Sequence, residues 1–152
     1  MKNNLCIDIT GKKSGGGDIF VSQLIKNLEI YSNQFKKIII FSSDDINNIV
    51  FDSRIQNVKV PLFFRNRYLI FFWQNWFIDF FLKKYSCDIF LTMNSIYLGS
   101  FKSYVVIHQN SLPFSNIELK KYNNKFFLFK LIIQRYLLKI TYQNSLYTIF
   151  LT

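Results

Sequence analysis

The chain has 152 residues, is half hydrophobic and carries a net charge of +10. That hydrophobic share excludes a disordered segment, and the length suits one domain, 1–152, able to bury a real core. The longest apolar run, residues 68–82, is only 15 residues long and is broken by Gln74, Asn75 and Asp79. A bilayer-spanning helix needs about 20 apolar residues, so a transmembrane segment is excluded in favour of a buried or partly membrane-facing aromatic helix.

The first strand is expected at 5–9, Leu-Cys-Ile-Asp-Ile. Four of the five glycines then crowd into residues 11–17, and an amphipathic helical pattern runs over 18–30. Glycines at the end of a strand let the backbone approach a ligand that no Cβ would tolerate. The helix start behind them offers free N–H groups and a positive dipole end to a phosphate or polar sugar. A P-loop would need a glycine where Cys6 stands, and the dinucleotide fingerprint would need one at Phe20. Both fail, which leaves a nucleotide-sugar or sugar-phosphate site as the better match.

Further strands are expected at 37–41, 58–61, 88–92, 103–108 and 146–151, and further helices at 66–84, 116–122 and 125–142. Runs such as Ile38-Ile39-Ile40-Phe41 and Tyr104-Val105-Val106-Ile107 are apolar without alternation, as strands buried on both faces are. Strands alternating with helices imply an α/β fold, a doubly wound, mostly parallel Rossmann-like sheet flanked by helices. Such sheets bind ligands at the carboxyl ends of their strands. That edge gathers the glycine stretch with Gly15, Gly16 and Gly17, then Ser42-Ser43-Asp44, Met93-Asn94-Ser95 and His108-Gln109-Asn110. Asn94 is therefore a substrate-binding candidate. His108, the only histidine, is the candidate base or hydrogen-bonding group, set against a purely structural role.

Cys6 and Cys87 have no metal-ligand spacing and read as reduced core thiols of a cytoplasmic protein. The aspartates show no such spacing either, so no metal is expected, and no cofactor. Alanine is absent while Lys, Asn, Ile and Phe abound, the signature of AT-rich coding, so the lysine count carries little functional weight. Lys120, Lys121, Lys125, Lys130, Arg135 and Lys139 nonetheless crowd the last third against Glu118 alone. They read either as a solvated helix face or as a contact with an anionic surface.

Several segments occur in an order that resembles the N-terminal domain of family-4, GT-B-fold glycosyltransferases. These are the glycine turn, Arg65-Asn66-Arg67 with Trp73-Gln74, Cys87-Asp88-Ile89-Phe90, the stretch from Val105 to Phe114 containing His-x-Asn-x-Leu-Pro-Phe, and the closing Tyr147–Thr152. The resemblance implies two Rossmann-like halves with the active site between them. It places Gly15, Gly16 and Gly17 beside the donor diphosphate or the acceptor, His108 near the transferred sugar, and Asn110 on the acceptor wall. It further implies a glycan or lipid-linked acceptor in cell-surface polysaccharide assembly, of the lipopolysaccharide, O-antigen or capsule kind, and a peripheral location at the inner face of an anionic membrane. The family holds its nucleotide-sugar mainly through a C-terminal domain carrying E-x7-E glutamates. Glu29 and Glu118 are the only glutamates here. The nucleotide-sugar donor is thus expected only with that further domain, which a separately encoded half would supply, and this chain alone is expected to be inactive. The competing readings are a non-enzymatic truncated remnant and a basic nucleic-acid-binding module. The second is disfavoured, because the aromatics are not interleaved with cations as stacking platforms, so no nucleic-acid partner is expected.

Overall fold

The computed structural model describes residues 2–10, 16–43, 52–66, 69–93, 96–108, 114–115 and 124–150. Six strands, β1 (Asn4–Asp8), β2 (Lys37–Ser42), β3 (Ile55–Lys59), β4 (Ile89–Thr92), β5 (Tyr104–His108) and β6 (Tyr147–Phe150), form one sheet in the order β3-β2-β1-β4-β5-β6. Every pairing is parallel. The helices are α1 (Gly16–Tyr31), a mixed helix over residues 70–84 (α2), and α3 (Lys125–Asn144). This is the doubly wound Rossmann-like architecture expected from the alternation of elements.

Side chains alternate across each strand, and both faces of the sheet are covered. On one face Leu5, Ile7, Ile38 and Ile40 pack under Ile25 and Leu28 of α1. On the other, Cys6, Ile39, Phe41 and Phe90 pack under Trp73, Ile78 and Leu82 of α2. The double coverage is why these strands are apolar without a break. Cys6 and Cys87 are free thiols. The Cys6 thiol is pushed well above its ordinary pKa, first by its hydrogen bond with Cys87 and then by burial.

Two boundaries differ from expectation by three residues or more. The third strand lies at Ile55–Lys59 rather than 58–61, in register from Ile38↔Ile55 to Ser42↔Lys59. Its Gln56 and Asn57 masked it, since an edge strand buries only part of each face; the apolar residues after it lead into Pro61 and a 3-10 turn over Leu62–Arg65. Helix α2 begins at Ile70 rather than at 66, because the Asn66 carbonyl first closes a turn onto the Leu69 and Ile70 amides. The helix expected at 116–122 lies outside the described residues. Among the described residues no helix is long and apolar enough to cross a membrane.

Candidate functional site

The strand order reverses between β1 and β4: α1 leaves β1 over one face of the sheet, and α2 returns to β4 over the other. A crevice opens at the carboxyl ends of strands at such a switch point. The structure fixes the β1 side of it with a buried polar cluster. Asp8 is fully buried, and its Oδ1 accepts from the Thr10 backbone N–H at 3.0 Å and from the Thr10 hydroxyl at 2.6 Å. Gln74 Nε2 donates to the same hydroxyl oxygen at 3.0 Å, and Ser43 Oγ donates to the Thr10 carbonyl at 3.1 Å. Thr10 is thus held through its amide, its side chain and its carbonyl, so the direction in which the chain leaves β1 for the glycine stretch is set by four hydrogen bonds. Charge-assisted bonds of this kind are the strong ones, and a buried carboxylate without them would be costly.

Gln74 reaches Thr10 because of a departure from α-helical geometry. Helix α2 is α-helical over Ile70–Phe72, π-helical over Trp73–Phe77 and α-helical again over Ile78–Lys84. The wider turn buries three consecutive residues, Trp73, Gln74 and Asn75. An α-helix turns about 100° per residue and does not readily present three in a row to one wall. The Asn75 side chain secures the bulge: its Nδ2 donates to the Phe71 carbonyl at 2.8 Å, and its Oδ1 accepts from the Leu98 amide at 2.8 Å. Single-turn π segments of this sort concentrate at functional sites.

Of the candidates expected from sequence, Gly16 and Gly17 fall in the first turn of α1, where backbone N–H groups have no intrahelical acceptor. Gly15, Asn94 and Asn110 lie outside the described residues. His108 ends β5, in register with Phe150 of β6. Its ring is only 2% exposed and sits edge-on to Phe114, Tyr142 and Phe150, with centroids 6.2, 5.5 and 5.7 Å away. The Tyr142 hydroxyl beside it is buried without a hydrogen-bond partner among the described residues, and burial pushes its pKa well up. His108 therefore stands at the expected edge but inside an aromatic enclosure. Phe114 closes the His-x-Asn-x-Leu-Pro-Phe stretch, whereas Tyr142 and Phe150 are far from His108 in sequence, so nothing local announced those two.

Sequence reasoning passed over Asp8, Thr10 and Gln74 as a unit. The available signal was one carboxylate inside an otherwise apolar strand, followed two residues later by a hydroxyl. A hollow of about 320 Å³ lies at the opposite edge of the sheet, lined by Tyr97, Leu98, Gly99, Lys102 and Tyr104 at the start of β5 together with the end of α3. Among the described residues no cluster of His, Cys, Asp or Glu is placed to hold a metal ion.

Fold and site together define a Rossmann-like α/β domain with a polar, wired strand end at its switch point. No family model matches the chain, and no curated protein matches it. Among solved structures, a glycosyltransferase from Rickettsia africae ESF-5 aligns with 96% of this chain at 16% identity and a TM-score of 0.45. The chain spans 42% of that protein's length.

Proposed function

We propose that this chain is the N-terminal, acceptor-side half of a GT-B-type glycosyltransferase that moves a sugar from a nucleotide-sugar to a glycan or lipid-linked acceptor. The observation that carries the reading is the exit of β1: Thr10, held on all sides, delivers the chain into the glycine stretch, and α1 begins at Gly16. The order of segments around His108 in the sequence supports it as well.

In this reading the first-turn amides of α1 face the donor diphosphate as it departs. Its negative charge grows as the glycosidic bond breaks, so fixed N–H dipoles favour the transition state over the ground state. Glycine at positions 15–17 keeps side chains out of that approach. His108 and Asn110 form the acceptor side, with His108 ordering the wall from within its aromatic enclosure or taking the acceptor proton directly. The nucleotide and sugar are held chiefly by a second Rossmann-like half.

The test starts with the coding DNA beyond codon 152. A reading frame encoding a second such half with E-x7-E glutamates supports the proposal, and the two halves combined are expected to transfer sugar while this chain alone does not. Combined halves inert toward a panel of nucleotide-sugars, whether the second is encoded downstream or separately, overturn the enzyme reading.

A further inference from the structure

The outer surfaces of the helices differ. On α1 a polar band of Ser22, Gln23, Lys26 and Asn27 runs along the outward face, with exposed Ile19 and Ile30 only at its two ends. On α3 the inward positions are Leu131, Leu138 and Thr141, yet the outward strip is Phe126, Phe129, Ile133 and Tyr136. These four are 79%, 61%, 43% and 64% exposed. Advancing about 100° per residue, Lys130 falls on one flank of the strip and Lys139 on the other, with Lys125 at its start, while Arg135 lies off the strip, over the Phe114 ring. Helix α2 packs on the same side of the sheet and adds outward Phe72, Trp76 and Phe80, followed by exposed Lys83 and Lys84. Thr141 of α3 ties the two helices together through the loop between β4 and β5, accepting from the Tyr97 amide at 3.1 Å and donating to its carbonyl at 3.2 Å.

Carboxylates are missing from this face. No Asp or Glu occurs anywhere in residues 124–150. The one acid of α2, Asp79, is turned into the fold, where it accepts from the Tyr97 hydroxyl and from the Ser100 amide and hydroxyl.

We propose that the outer face of α3, with the α2 strip beside it, docks on an anionic lipid bilayer, α3 lying in the plane of the surface. Aromatic rings suit the boundary between headgroups and acyl chains, and flanking lysines keep their ammonium groups among anionic headgroups while their stems cover apolar surface. Charge pattern selects a bilayer over a protein partner. Cores of protein interfaces are depleted in lysine, whereas here cations edge and punctuate the apolar strip with no acid to balance them. The inference stands on this surface alone and does not depend on the sugar-transfer reading.

The test uses the full chain with phosphatidylcholine vesicles, with and without phosphatidylglycerol, in a co-sedimentation assay. Binding is expected to require phosphatidylglycerol and to fall with added salt. Lys130→Gln combined with Lys139→Gln is expected to weaken it roughly thirty-fold, each cation near the surface contributing about five-fold. Phe129→Ser with Tyr136→Ser is expected to weaken it at least ten-fold, with the helical circular dichroism retained because both positions are exposed. The charge-matched control Lys26→Gln with Lys36→Gln, away from α3, is expected to leave binding unchanged. Equal binding to neutral vesicles, no binding, or a control as damaging as the α3 variant overturns the proposal. So does a stable dimer that ignores vesicles, which would assign the face to a second copy of the chain.

Discussion

The carboxyl ends of β1 and β5 lie on the same edge of one parallel sheet, yet they are built from opposite materials. At β1 a buried carboxylate, a hydroxyl and a side-chain amide bond to one another, and the geometry is directional. At β5 an imidazole is wedged among three aromatic rings, and the geometry is one of shape. A hydrogen-bonded end fixes where the next segment points. A ring-packed end fixes how much space remains and tolerates substitution by volume. The same strand ending therefore answers to different mutations in the two places.

The largest expected effect tests the polar end. Asp8→Ala strips the acceptor from two donors of Thr10 and is expected to lower unfolding free energy by about 4 kcal/mol, read by urea denaturation. A loss below about 1 kcal/mol would break the comparison, because the carboxylate would then hold nothing in place. At the ring-packed end, His108→Ala is expected to cost about 3 kcal/mol through the cavity it leaves. His108→Phe keeps an aromatic ring but adds more than one methylene of volume, so it is expected to cost about 1–2 kcal/mol, less than Ala. If Phe proves as damaging as Ala, the slot reads polarity as well as shape, and the contrast between the two ends fails.

Alkali sharpens the same contrast from the side of the buried phenols. Burial raises Tyr104 to about 12 and pushes Tyr97 well above its ordinary value, the latter also through its bond to Asp79. A raised pKa means the folded state holds the proton after the unfolded chain has released it. The stabilisation is complete below the unfolded tyrosine value near 10 and is lost as pH climbs toward 12. Melts between pH 9 and 12 are expected to show Tyr104 alone withdrawing about 2 kcal/mol, and Tyr104→Phe is expected to remove that share of the slope. An unchanged slope would assign the loss to other groups. The smallest expected effect belongs to Gln74→Leu, about 1 kcal/mol, since the Thr10 hydroxyl keeps its bond to Asp8. In reconstituted halves the same change is expected to reduce transfer more than it reduces stability, because it loosens the exit of β1.

Much of the fold was legible in the sequence because its strongest signals are local. Ile38-Ile39-Ile40-Phe41 could only be a strand covered on both faces, and the glycine stretch marked the turn into α1 within two residues of the observed helix start. The third strand was misplaced because Gln56 and Asn57 lie on an edge, where the apolar pattern that betrays a central strand is diluted. The site was half legible. Position at the carboxyl edge selected Gly16, Gly17 and His108. The partnership of Thr10 with a glutamine 64 residues away, like the Tyr142 and Phe150 rings beside His108, is made by the tertiary fold alone. Gln74 and Asn75 read in the sequence as interruptions of an apolar run, with Gln74 also part of the segment order behind the resemblance, whereas burial turned Gln74 into a tie to Thr10 and Asn75 into a tie to Leu98.

The wide turn at Trp73–Phe77 also bears on how this chain tolerates insertion and deletion. The segment holds a residue more than the tighter winding would need, so removing one residue there is the change that would restore a uniform helix. It would also swing everything on one side of the cut by about 100°, carrying Gln74 off Thr10 or the inner positions Ile78 and Leu82 off the sheet. A drift toward a more regular and intrinsically more stable helix is thus barred by the neighbours on both sides. The irregular spacing is expected to persist through sequence change that alters its exposed members, Trp76 and Phe77.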